Sequence, residues 1–266
     1  MFFPRILFIA FCAFAAPAAS AHEFWIEPEA YKVAQGEEIT ARLRNGEEFS
    51  GISIGYFPRR FTRFDLVFGD EVQTVEGRLG DVPPVKTVID QDGLLVIAHE
   101  TTPSTITYKT WEKFAKFAEH KDFPKIEARH QAAGFPREGF KEVYTRHVKA
   151  LIAVGDGQGA DRALGLATEI VALTNPYAPD FNGLMQVQVL DAGNPRADAQ
   201  VEVFSKASDD SVKITLHRSD ANGIARIPVM AGHAYLLDAV ILRPFSGDGD
   251  AVWETLWAAL TFAVPG

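Results

Sequence analysis

His22 carries the richest chemistry in this sequence because of what precedes it. Residues 1–21 hold one charge, Arg5, then an apolar run from Ile6 to Ala16, then small residues ending in Ala19-Ser20-Ala21. That order is the pattern of a secretory signal peptide and predicts cleavage after Ala21. The apolar run is too short to persist as a spanning helix. Cleavage would make His22 the first residue. An N-terminal histidine offers an α-amine and an imidazole Nδ1 that close a six-membered chelate ring on one cation. Such amines and imidazoles ordinarily lose their protons near pH ~8 and ~6.5, so a metal ion displaces them readily around neutrality. Nitrogen donors of this kind suit Cu, Ni, Co and Zn.

Six further histidines are candidates to complete a site: His99, His120, His130, His147, His217 and His233. None forms His-x-x-x-His with another, so the helical zinc-protease pattern is absent. His99 closes an apolar run beside Glu100, and His233 follows Gly232 at the start of another. Strand-end histidines can meet at the rim of a sandwich, so His22, His99 and His233 are the expected metal ligands. His120 and His130 fall in a charged helical stretch and read as solvated. His217 ends an alternating strand on its outward phase, and His147 leads into the strand from Lys149. The single cysteine, Cys12, lies in the leader, so oxygen and nitrogen alone would hold the metal. Gly51-Ile52-Ser53-Ile54-Gly55 matches the nucleophile elbow of serine hydrolases, but a polar segment precedes it, Pro58 follows, and βα alternation is missing. A turn with an exposed serine is the expectation there.

The elements that must position these residues are mostly strands. Ile39 to Arg44, Met185 to Leu190 and Val212 to His217 alternate apolar with polar residues, as half-buried strands do. Leu94-Leu95-Val96-Ile97-Ala98, Ala234 to Leu242 and Leu256 to Val264 are near-continuous apolar runs. Asn45-Gly46, Asp92-Gly93 and Asn222-Gly223 supply turn signals. One stretch differs: Trp111, Phe114, Phe117 and Ala118 recur at helical spacing, which predicts a helical insertion over about residues 108–147 with its aromatic stripe turned inward. Short strands without βαβ alternation indicate a mainly β protein of antiparallel sandwiches. The net charge of −9, without basic runs, argues against nucleic acid or anionic lipid as partner.

Several segments resemble the DUF4198 family. They are His22-Glu23-Phe24-Trp25-Ile26-Glu27-Pro28, Tyr144 to Leu151, Glu169 to Tyr177, Ala231 to Val240 and Trp253 to Phe262. The resemblance implies a bacterial periplasmic protein of the kind described as a component of cobalt and nickel uptake systems. The C-terminal part also resembles transthyretin-like or carboxypeptidase-regulatory-like sandwiches, mostly non-catalytic modules. Together these readings divide the chain into a signal peptide (1–21), an N-terminal Ig-like sandwich with the helical insertion (22–178) and a C-terminal transthyretin-like sandwich (179–266).

The functional expectation is a non-enzymatic periplasmic protein that binds a divalent transition metal ion. Nickel or cobalt is favoured by the resemblance; copper and zinc are compatible with the donors. Its partners would be the metal ion and a membrane transporter or outer-membrane receptor. Two alternatives stand beside it: a histidine-brace copper oxygenase, and a metal-free envelope interaction module.

Overall fold

The computed structural model describes residues 22–266, so the expected signal peptide lies outside the described residues. The chain begins β1 (Glu23–Pro28), β2 (Lys32–Val33), β3 (Glu38–Glu47), β4 (Ser50–Ile54), β5 (Phe61–Phe68), β6 (Glu71–Thr74), β7 (Val85–Val88), β8 (Gly93–Thr101) and β9 (Ser104–Tyr108). Two helices follow, α1 (Trp111–His120) and α2 (Ile126–Ala132). Then come β10 (Phe140–Val154), β11 (Thr168–Ala172), β12 (Leu184–Asp191), β13 (Asn194–Pro195), β14 (Gln200–Lys206), β15 (Val212–Arg218), β16 (Ile224–Pro228), β17 (Ala234–Pro244) and β18 (Ala251–Ala263). No helix among the described residues is long and apolar enough to cross a membrane.

These strands make three layers. A ten-stranded sheet runs in the order β15-β14-β17-β18-β10-β8-β5-β6, with β2 and β9 paired to β10. On one face lies the sheet of β1, β3, β4 and β7; on the other lies that of β11, β12, β13 and β16. The sequence pattern explains the layering. In β8, Leu94 and Val96 pack into one interface while Leu95 and Ile97 pack into the other. A strand buried on both faces reads as a continuous apolar run. In β3, by contrast, Ile39, Ala41 and Leu43 point inward and alternate with partly exposed Thr40, Arg42 and Arg44, as in a strand with one wet face.

The expected boundary between residues 178 and 179 does not separate two sheets. β11 and β12 flank it and pair with each other. The central sheet draws β5, β8 and β10 from before it and β14, β17 and β18 from after it, joined where β10 and β18 run parallel. The two sandwiches therefore share their middle layer.

The helical insertion is shorter than residues 108–147. Helix occupies Trp111–His120 and Ile126–Ala132, and from Phe140 the chain is already the fifteen-residue strand β10. Its first half carries Glu142, Arg146 and His147, polar residues that break the apolar pattern yet are buried. The inward stripe holds: Trp111, Phe114 and Phe117 are buried with Val240, Leu242, Trp253 and Trp257 of the central sheet.

Asn45-Gly46 is not a turn. β3 runs through it to Glu47, and the reversal is made by Glu48 and Phe49, both at positive φ (50° and 59°), the type I′ pattern of a two-residue hairpin. Gly46 instead faces Gly51 across the hairpin; a Cβ there would come within 2.0 Å of the Ser50 carbonyl oxygen. The Gly-x-Ser-x-Gly segment lies largely in β4, where Ser53 Oγ accepts a hydrogen bond from Arg44 Nη1 at 2.9 Å. It has no strand-to-helix elbow.

Candidate functional site

Side chains on one side of a strand recur every second residue. β10 therefore sends Glu142, Tyr144 and Arg146 to the same face, and His22 and Phe24 lie two apart at the start of β1. These residues line one cavity of about 660 Å³ between the outer β1–β3–β4 sheet and the central sheet. Phe61 of β5, His99 of β8, Tyr108 of β9 and Trp257 of β18 complete the wall made by the central sheet, and Phe57 and Arg60, between β4 and β5, also line the cavity.

His22 is about half exposed, with Nε2 3.6 Å from a Glu47 carboxylate oxygen. His99 is buried among rings: Phe64 at 4.8 Å, Phe61 at 5.4 Å and Phe24 at 5.5 Å between centroids. Burial pushes its pKa down to about 3, so the imidazole is neutral at physiological pH. Its Nδ1 is buried and has no hydrogen-bond partner among the described residues. The Phe24 ring, two residues from His22, is what brings β1 against His99.

His233 does not join them. β8 is antiparallel to β10, β10 parallel to β18, and β18 antiparallel to β17. β8 and β17 therefore run the same way, and the end of one lies at the opposite rim from the start of the other. His233 is instead hydrogen-bonded to Ser205 at 3.0 Å and borders a separate groove with Glu27 and Pro28, at the far end of β1. The sequence marks His99 and His233 as strand-end residues but carries no sign of the relative direction of their strands. Among the described residues no group of three or more His, Cys, Asp and Glu side chains is placed to hold a metal ion.

The remaining histidines are mostly structural. His130 is fully buried, not solvated: Trp253 Nε1 donates to its Nδ1 at 3.0 Å, and its Nε2 lies 2.9 Å from the Pro136 carbonyl oxygen. His147 is buried on the face of β10 away from the cavity, with Nδ1 3.3 Å from the Trp257 carbonyl oxygen. His120 is half exposed and pairs with Glu202 at 3.1 Å, and that hydrogen bond raises its pKa.

Sequence reasoning missed the polar floor of the cavity. Glu142 is buried, and burial pushes its pKa up to about 7. The Tyr108 hydroxyl donates to it at 3.0 Å, and so does the Thr255 hydroxyl, which in turn accepts from Trp257 Nε1 at 3.0 Å. Arg146 lies flat over the Trp257 ring at 3.9 Å and over Tyr144 at 5.3 Å. Beyond Trp257, Lys121 at the end of α1 is buried against Glu202 (2.6 Å), Asp238 (2.8 Å) and Glu23 (3.4 Å). Burial opposes its charge, but the carboxylates outweigh it and raise its pKa. This cluster ties the residue after His22 to the helical insertion. The available signal was the period-two spacing of Glu142, Tyr144 and Arg146; contacts such as Lys121 to Asp238 span 117 residues and leave no local trace.

No functionally curated protein matches the chain. Among solved structures, a tetra-tandem repeat from the extending region of a large adhesion protein is 10% identical, with 92% of this chain and 50% of that one covered and a TM-score of 0.21. The chain thus spans about half that structure's length. The D0-D1 domain of intimin is 11% identical, with 90% and 97% covered and a TM-score of 0.20. Scores this low carry no argument about function. The family model is different in kind: it matches residues 19–243, and the chain belongs to DUF4198, a domain of unknown function.

Proposed function

We propose that this is an exported, non-enzymatic protein that binds a divalent transition metal ion as cargo at the cavity between β1 and the central sheet. The observation that carries the reading is that His22 and His99, 77 residues apart in sequence, line the same cavity.

 The donor chemistry fits. His99 Nδ1 is a buried, unpartnered nitrogen on a ring held neutral by burial, so metal entry there displaces no proton. Cleavage after Ala21 would add the His22 α-amine to its imidazole. Nickel or cobalt is the cargo expected from the family resemblance, although copper heads the general affinity order for nitrogen sites and zinc follows it. The expected setting is the periplasm, with delivery to a membrane transporter or an outer-membrane receptor.

The test uses protein recovered from the periplasm, whose intact mass should correspond to a start at His22. Calorimetric titration with Ni²⁺, Co²⁺, Cu²⁺ and Zn²⁺ should show binding that is weakened at least about tenfold by acetylating the terminus or by His99→Ala, since losing even a group that only orients a ligand costs about that much. His233→Ala should bind like the unaltered protein. Equal binding by the free and acetylated forms would overturn the reading.

A further inference from the structure

Arg146 is the group in this cavity that metal binding leaves unused. Only 9% of it is exposed. Its backbone N–H donates to Thr101 Oγ1 at 3.0 Å. Its guanidinium, in contrast, has no hydrogen bond or ion pair among the described residues, and Nη1 is buried without a partner. A guanidinium carries five donors in a planar fork, and burying one unpaired is costly. The nearby carboxylates are turned elsewhere: Glu142 accepts from Tyr108 and Thr255, while Asp238 and Glu23 accept from Lys121. Each acts on Arg146 only through its charge.

What surrounds this cation is apolar and flat. Phe24, Phe57, Phe61, Tyr108 and Tyr144 face the cavity with Trp257, on which Arg146 lies. The volume of about 660 Å³ falls within the range of small-molecule sites. We propose that the cavity binds a small aromatic monocarboxylate, its carboxylate on the Arg146 fork and its ring against the aromatic wall. A carboxylate matches the fork in geometry and charge. A monoanion suits the site better than a phosphate dianion, because it matches the single charge of the one buried guanidinium, whose cavity walls are largely aromatic. The exposed Arg60 at the rim, stacked over Phe57 at 5.3 Å, attracts the anion to the mouth. The inference does not rest on the metal reading.

The experiment uses the protein starting at His22, stripped of metal on a chelating resin. Phenylacetate and 3-phenylpropionate are titrated in, with phenylacetamide and inorganic phosphate as controls, and followed by calorimetry and tryptophan fluorescence. The carboxylates should bind and alter tryptophan emission, since Arg146 stacks on Trp257. The amide and phosphate should bind at least about tenfold more weakly, as expected when the charge-assisted fork is lost or the wall unfilled. Arg146→Lys keeps the charge but not the fork and should weaken the carboxylates by a similar factor; Ser104→Trp, which crowds the cavity from an exposed position, should do so without touching Arg146. Thermal melts establish that each variant is folded. His233→Ala, in the separate groove at the far end of β1, should bind the carboxylates normally, and the absence of metal throughout keeps this site distinct from the metal reading. The proposal is overturned if the carboxylates fail to bind, if phosphate or the amide binds equally well, or if folded Arg146→Lys and Ser104→Trp proteins bind unchanged.

Discussion

Arg146 and Lys149 sit three residues apart on one strand, are both buried, and point to opposite faces of the central sheet. Lys149 is fully engaged: Asp161 lies at 2.7 Å, Glu169 at 2.9 Å and the Arg162 carbonyl oxygen at 3.2 Å. Its partners are engaged too, Glu169 by the Leu164 and Leu166 N–H groups and Asp161 by that of Ala172. This network fastens the segment after β10 over the sheet. Arg146 has an aromatic wall and a cavity in place of such partners. The same strand thus carries a closed ionic cluster that serves the fold and an open cation suited to a ligand. Burial alone does not distinguish them; the hydrogen-bond inventory does.

The largest effect should come from breaking the closed side. Lys149→Met leaves Asp161 and Glu169 buried without their cation and should cost about 3–5 kcal/mol in urea unfolding. A loss below about 1 kcal/mol would mean that the cluster rearranges freely and is no tighter than the cavity side. Next comes the aromatic packing beside the cavity. Trp111→Ala should cost about 3 kcal/mol, because its side chain is buried with Phe114 in the helical cover. Stability unchanged within about 0.5 kcal/mol would show that this cover contributes little.

A smaller effect is expected from Glu142, and it depends on pH. Burial places its folded-state pKa at about 7, above the ordinary value of 4.5. The folded chain therefore holds this proton more tightly than the unfolded chain does. The resulting stabilisation is fully present below about pH 4.5 and is lost as pH rises through about 7. Glu142→Gln cannot ionise, so its stability relative to the unaltered protein should improve between pH 5.5 and pH 8, by about 2 kcal/mol. Paired urea titrations at the two pH values measure this. An unchanged difference would mean that Tyr108 and Thr255 hold the carboxylate ionised throughout.

Much of this architecture was legible because each layer writes its own pattern. The apolar run of β8 and the alternation in β3 and β12 marked all three as strands, and the shared middle layer explains why only β8 lacks the alternation. Trp111, Phe114 and Phe117 gave the helix and its inward face. What local pattern cannot carry is relative direction and remote partnership. His99 and His233 both fell at strand ends, but the parallel joint between β10 and β18 sets them at opposite rims. His130 looked solvated because its partner Trp253 lies 123 residues away. The start of β10 looked helical because its buried charges disguised a period of two. Arg146 and Glu142, the residues that give the cavity its polarity, were hidden for the same reason.

The smallest stability change should be that of Arg146→Met, and it tests the comparison most sharply. Methionine keeps an unbranched stem against Trp257 and removes the charge. The loss is the cation–π contact, about 1–2 kcal/mol for a desolvated pair. The gain is that a buried charge without hydrogen-bond partners is gone, and replacing such groups with apolar ones is often neutral or stabilising. The two effects oppose each other, so unfolding free energy should change by less than about 1 kcal/mol, in contrast with Lys149→Met on the other face. The metal-free variant should nevertheless lose binding of phenylacetate. Stability retained with binding lost is the signature of a residue kept for a ligand. A destabilisation approaching that of Lys149→Met would instead place Arg146 among the residues that hold the sheet together, and the contrast between the two faces of β10 would disappear.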